Sequence, residues 1–299
     1  MPRRFLNASL ISTMLCLATH GQAETWTVCA EGCNFDRIQE AINAASDDDI
    51  IEITAGVYYE SNLDPGGKAI TIRSVSGEMD VVIDGTQTGG QVIRCISGET
   101  TATVFMGLIV TGGSSSWGAG LYLNHNSSPT LIRCSFQDNS AGNYGGGAAV
   151  VSSAPIFEEC TFTNNWATTY GGGLYNAFGN PTLVDCVITH NDTLWNVGGM
   201  WSDPNNSLPV LTNSMVCDNL GGQISGPWVN NGGNCVDNNC EDCEVLDCEG
   251  DLDASGDVGI DDLLIIIDRW GTDGGDADGD GDTDIDDILV VIGHWGSCA

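Results

Sequence analysis

The residues best placed to do chemistry lie in an acidic duplication near the C-terminus. "GDLDASGDVGIDDLLIIIDRWG" (residues 250–271) returns 25 residues later as "GDADGDGDTDIDDILVVIGHWG" (residues 275–296). Gly256 stays with Gly281, Ile260 with Ile285 and Trp270 with Trp295, a register that a solvated acidic tail has no reason to keep. Calcium takes six to eight oxygens, and a twelve-residue loop supplies them from positions 1, 3, 5, 7, 9 and 12 around a Gly at 6. The second loop offers Asp276, Asp278, Asp280, the backbone of Asp282, Asp284 through water, and Asp287. The first offers Asp251, Asp253, Ser255, the backbone of Asp257, and Asp262, with Gly259 supplying no side chain. Ca2+ is the expected cofactor, and the second loop should hold it more tightly.

Three further groups have the types that catalysis uses. Glu159 and Asp185 share a column of a 26-residue repeat with Arg133. Two carboxylates one rung apart could divide acid and base roles, because neighbouring like charges push one pKa upward. The same column could equally be a solvated strand face. His190, beside Asp192 at a turn, is the third candidate, with a solvated turn residue as its alternative. Tyr144, Tyr170, Trp166, Trp195 and Trp201 fall at or near rung turns, where flat rings can stack on sugars or simply cover the coil. Nucleophile motifs, phosphate loops and histidine metal sites are absent from the sequence.

The elements that must position these groups come from the repeat. "PTLIRCSFQDNSAGNYGGG" from Pro129 is followed by "PIFEECTFTNNWATTYGGG" from Pro155 and "PTLVDCVITHNDTLWNVGG" from Pro181, with looser copies at Pro209 and Ala102. Cys134, Cys160 and Cys186 stand two places before Phe136, Phe162 and Ile188, so both columns belong to one buried strand face. Asn139, Asn165, Asn191 and Asn219 form a column where the strand should turn, since Asn tolerates left-handed backbone. Short strands, Asn and Gly turns and a unit too short for a propeller blade predict a parallel β-helix domain over residues 24–232, with about seven rungs from residue 50 to about 232. Ahead of it, "FDRIQEAINAA" predicts a capping helix with Ile38, Ala41, Ile42 and Ala45 on one face and a capping box of Asp36 and Gln39.

Composition sets the setting. Residues 1–23 read as a secretory signal, and no later segment reaches the roughly 18 apolar residues of a membrane helix. Loss of Arg3 and Arg4 takes the formal charge from −33 to −35, so nucleic acid is excluded as a partner. Twelve cysteines remain, an even count that favours disulfides in an oxidising compartment, Cys29 with Cys33 among them. Cys235, Cys240, Cys243 and Cys248, in a Cys-rich linker over residues 233–249, leave zinc as an alternative. Cys134, Cys160 and Cys186 read as stacked free thiols. Residues 250–299 form a second module, its helices carrying Leu263, Leu264, Ile266, Ile267 and Trp270, then Ile288, Leu289, Val291, Ile292 and Trp295, on one face; Cys248 and Cys298 could clasp its ends.

The plug helix, "IIEITAGVYYE" and the rungs together resemble right-handed parallel β-helices of the pectate-lyase-like superfamily. "FQDN" and "FTNN" with "GGGA" and "GGGL" are similar to the FxxN and GGA repeats of polymorphic outer membrane proteins, which are surface adhesins. The acidic duplication resembles a type I dockerin, which implies EF-hand-like calcium loops and a cohesin-like receptor. Ile260–Asp261 and Ile285–Asp286 stand where cellulosomal dockerins often carry a hydroxyl pair. The resemblances imply a secreted or cell-surface protein that binds polysaccharide or a cell-surface glycan and is anchored through the module. The alternatives are a glycoside hydrolase or polysaccharide lyase carried by a dockerin, and a structural adhesin with a calcium-dependent cap.

Overall fold

The computed structural model describes residues 23–243, 250, 252, 257–271, 277, 283–293 and 295–297. The expected signal segment up to residue 22, Cys248 and Cys298 lie outside the described residues. Each turn of the chain lays down short strands on successive faces, and each strand pairs in parallel with its counterpart one turn away. The first face holds nine strands from Thr25–Val28 to Val229–Asn230, and the second eight from Gly56–Tyr58 to Cys235–Val236. The third holds six from Ile93–Cys95 to Ile224–Ser225, and a short fourth face of four runs from Ser114–Trp117 to Asp192–Thr193. This all-β parallel coil completes eight turns rather than about seven. It begins at Thr25–Val28, which pairs with Ile50–Ile53, and ends at Cys235–Val236, which pairs with Met215–Cys217 inside the segment read as a linker.

The interior follows from the repeat. Phe136, Phe162 and Ile188 are in register on the second face and fully buried, with the rings of Phe136 and Phe162 stacked at 5.0 Å. Cys134, Cys160, Cys186 and Cys95 are buried free thiols, and burial pushes those of Cys95 and Cys160 up. Cys160 Sγ donates to the carbonyls of Glu158 and Leu131, both at 3.4 Å. Disulfides join Cys29 to Cys33, Cys217 to Cys240 and Cys235 to Cys243, so three of the four cysteines weighed for zinc are bonded to sulfur.

The asparagine column is internal and does not supply the left-handed corner. That conformation falls one residue earlier, at Asp138, Asn164, His190 and Asp218 with φ of 54°, 55°, 57° and 51°. The corner residue absorbs the positive φ and so turns the following Asn inward. Asn165 Oδ1 accepts from both the backbone and the side-chain nitrogen of Asn139 at 3.1 Å, and Asn165 Nδ2 donates to Asn191 Oδ1 at 3.0 Å and Phe136 O at 2.8 Å. Asn191 repeats the pattern onto Asn219, and Gln223 closes it at 2.8 Å. After the corner the chain passes Gly145 and Gly171 at φ of 65° and 61°, where a Cβ would lie against the carbonyls of Ala148 and Leu174.

Helix α1, Ile38–Ala44, packs Ile38, Ala41 and Ile42 on the coil as expected. Its capping differs from the sequence reading: Arg37 is the N-cap, and no side chain of its own segment caps it. Instead the buried Glu60, one turn on, accepts from the amides of Ile38 at 2.7 Å and Gln39 at 3.2 Å. A carboxylate at a helix start also suits the dipole. In the C-terminal module α2, Ile260–Asp268, and α3, Ile285–Gly293, share a core of Val258, Ile266 and Val291. The apolar residues of each helix divide between two faces rather than sharing one: Leu263 and Ile288 pack against that core, while Leu264, Ile267 and Trp270, with Leu289, Ile292 and Trp295, are exposed. Cores this small have only one inner face to fill.

Asn165→Ala deletes four buried hydrogen bonds and leaves the amide of Asn139 and the carbonyl of Phe136 without their partner, a cost of about 2–4 kcal/mol. Chemical denaturation should show that loss, whereas Asn164→Gly at the exposed corner should change stability by less than about 1 kcal/mol.

Candidate functional site

The third face carries a file of outward side chains in strict register: Arg94, Tyr122, Ala149, Tyr175, Trp201 and Ser225. A second file stands beside it at the end of the fourth face, where Tyr144 is in register with Trp117 and bridges to Tyr170. The gap left by the small Ala149 lets the files merge. Tyr144 stacks on Tyr175 at 4.8 Å, Trp117 meets Tyr144 edge-on at 4.5 Å, and Trp201 stacks on Tyr170 at 4.8 Å and on Tyr175 at 4.9 Å. Five rings thus make a continuous ladder along the coil, at the rung spacing of about 4.8 Å, and Tyr122 packs against the same cluster at its early end. All but Tyr175 are partly exposed.

Burial, followed by the electrostatic influence of Tyr144, Asp203 and Tyr170, pushes the Tyr175 phenol up to about 12. At the early end of the ladder an open groove of about 330 Å³ lies between Trp117 and Tyr122, with Gln91, Ser115, Ser116 and Asn124 on its walls. Asn124 Nδ2 donates to the Tyr122 hydroxyl at 2.8 Å, which leaves that hydroxyl's proton to be given elsewhere. Aromatic faces flanked by amides and hydroxyls can stack on the C–H face of a sugar while bonding its hydroxyls.

Of the aromatics marked in the sequence, Tyr144, Tyr170 and Trp201 belong to the ladder. Trp166 and Trp195 are exposed and stand outside it. Trp117, Tyr122 and Tyr175 were missed. The signal for Tyr122 and Tyr175 was the second position after a glycine turn, in "GLYL" and "GLYN", which Ala149 and Trp201 hold in "GAAV" and "GMWS"; Trp117, ahead of Gly118, carries no such signal.

The other candidates fall elsewhere. Arg133, Glu159 and Asp185 do not lie on a strand face; they are the left-handed corners between the first and second faces, with φ of 48°, 52° and 52°. Strands of three residues such as Ile156–Glu158 end just before them, so the column marks a bend. His190 occupies the next corner, exposed, with its Nδ1 2.8 Å from the Thr189 hydroxyl. Neither corner adjoins the ladder within the turn, since both precede the fourth face.

In the acidic module Asp251, Asp253, Ser255, Asp276, Asp278, Asp280 and Asp282 lie outside the described residues, as does the side chain of Asp257. The closing residues are described and match across the duplication. Asp262 accepts from Leu252 N and Gly259 N, both at 2.7 Å. Asp287 accepts from Ala277 N at 2.6 Å and Asp284 N at 2.7 Å. Each carboxylate is 1% exposed, so each loop is pinched at positions 2 and 9 by a buried acid at position 12.

The model of the "right handed beta helix region" family matches residues 95–260, more than half of the chain. The chain belongs to the right-handed β-helix family. No curated protein matches this β-helix. Among solved structures it is similar to a pectate lyase (15% identity over 69% of this chain and 58% of that one, TM-score 0.45). It is also similar to a pectin methylesterase mutant in complex with a hexasaccharide (14%, 70% and 82%, TM-score 0.40) and to the pectin methylesterase of Aspergillus niger (13%, 72% and 84%, TM-score 0.38). The β-helix spans 58% of the length of the pectate lyase.

An alkaline absorbance titration should find one tyrosine ionising near pH 12, and Tyr175→Phe should remove it. The native β-helix holds that proton while the unfolded chain releases it near pH 10. Stability contributed by the buried phenol is therefore complete below pH 10 and lost as pH rises to about 12.

Proposed function

We propose that this β-helix is a secreted polysaccharide-binding protein whose ladder of five rings, with Tyr122 at its early end, engages an extended glycan, and whose C-terminal module binds calcium and anchors it. The observation that carries the reading is the continuity of the ladder from Trp117 to Trp201. Rings that served only to cover the coil would gain by full burial, whereas all of these but Tyr175 keep partly exposed edges and faces along the axis. The signal-like segment 1–23 and the three disulfides among the described residues support an extracellular setting.

Calcium fits the described part of the module. Two buried acids, each turned back over its own loop by two amides, provide the closing carboxylate that a twelve-residue loop requires. Asp284, at position 9 of the second loop, accepts from Asp286 N at 2.8 Å. When bound, calcium would be held by Asp251, Asp253, Ser255, the Asp257 backbone and Asp262, and by Asp276, Asp278, Asp280, the Asp282 backbone, Asp284 and Asp287. It would neutralise acids that otherwise repel. Its task is fastening, and the exposed apolar stripes of α2 and α3 are the surface for a cohesin-like receptor.

Affinity electrophoresis through gels cast with pectic, xylan, alginate or sulfated polysaccharide, with calcium, tests the binding reading. At least one polymer should retard the protein, and Trp201→Ala should weaken that retardation about tenfold. Free migration in every gel would contradict the reading, and a shortened polymer would make the protein an enzyme instead. For the module, titration calorimetry should find two calcium sites, with Asp287→Ala abolishing the tighter and Asp262→Ala the weaker. No calcium heat would remove the cofactor from the account.

A further inference from the structure

We infer that the groove at the head of the ladder takes an uncharged sugar, so that the ligand is a neutral polysaccharide rather than a polyuronate or a sulfated glycan. The inference rests on the polysaccharide reading above and narrows it. The groove meets a ligand with the rings of Trp117 and Tyr122 and with the polar groups of Gln91, Ser115, Ser116 and Asn124. No carboxylate, ammonium or guanidinium is among them. Gln91 Nε2 donates to Trp117 O at 3.2 Å, and its amide oxygen has no protein partner among the described residues. The hydroxyls of Ser115 and Ser116 likewise meet no protein partner among the described residues, so they face a ligand or water.

The nearest cation in register is Arg94, beside Tyr122, and it is already paired with Asp64 at 3.1 Å. At the other end Tyr175 feels Asp203, a negative charge. A ligand carboxylate or sulfate would therefore enter without a counter-charge, on a protein of formal charge −33, and would lose hydration uncompensated. A neutral pyranose asks for what the groove has: a flat apolar face and unpaired hydrogen-bonding groups.

Titration calorimetry of the full mature chain in calcium tests this, with cello-, xylo- and mannohexaose as neutral probes and hexagalacturonate and a sulfated oligosaccharide as anionic ones. A neutral hexasaccharide should bind with an affinity that salt does not alter. Trp117→Ala should weaken it at least tenfold, and Tyr122→Phe, which keeps the ring, about threefold. Circular dichroism verifies the fold of each variant, and Gln91→Ala replaces Trp117→Ala if that variant fails to fold. Binding of an anionic probe alone, weakened by the same variants, would overturn the neutral ligand while leaving the polysaccharide reading intact. Binding of no probe, or binding indifferent to these variants, would overturn both.

Discussion

The asparagine ladder is the constraint on which the rest of the coil depends. Asn139, Asn165 and Asn191 each donate to the asparagine one turn on, and Asn219 ends the series on Gln223, in an interior where an unpaired amide is costly. A slip of one residue on any turn would leave several of these groups without partners. The ladder thereby sets where each corner ends, and from that corner the glycine turn delivers the next strand in register. Tyr122, Tyr175 and Trp201 line up because the buried amides behind them do.

Little of this stabilisation is local. Strands of two to five residues have no independent stability, and each is held by its neighbours above and below. The ends of the stack are the exposed liability. At the first end α1 docks with its amides bonded to Glu60, and Lys68 Nζ donates to the carbonyl of Ile42 at 2.6 Å near the helix end. At the other end two disulfides tie Cys235–Val236 and the short 3-10 turn Cys240–Cys243 to the final rungs.

The fold was legible because the 26-residue period repeats residue types with opposite demands: Cys and Phe inward, Pro and Gly at bends. The inward columns, the plug helix face and the Cys29–Cys33 pair stand as read. Side-chain direction at the corners was less legible. Asn permits both a left-handed bend and a buried ladder, and only the backbone of the preceding residue decides between them. Glu159 and Asp185 read as a strand column for the same reason, although positive φ makes them bends. The aromatic ladder was half visible, because it interleaves two files from different faces and Ala149 breaks one of them. Its continuity exists only after Tyr144 and Trp117 fold over that gap. Glu60 as the helix cap lies 22 residues from the amide it serves, beyond any local pattern.

Ligand contact along the third face is the central proposal. Hydrogen–deuterium exchange in the presence and absence of a bound polysaccharide tests that most directly. It predicts slowed exchange in Leu121–Leu123, Leu174–Ala177 and Met200–Ser202 and in Ser114–Trp117, with the corners at Arg133, Glu159 and Asp185 unchanged. Protection centred on those corners, with the ladder strands unaffected, would contradict it.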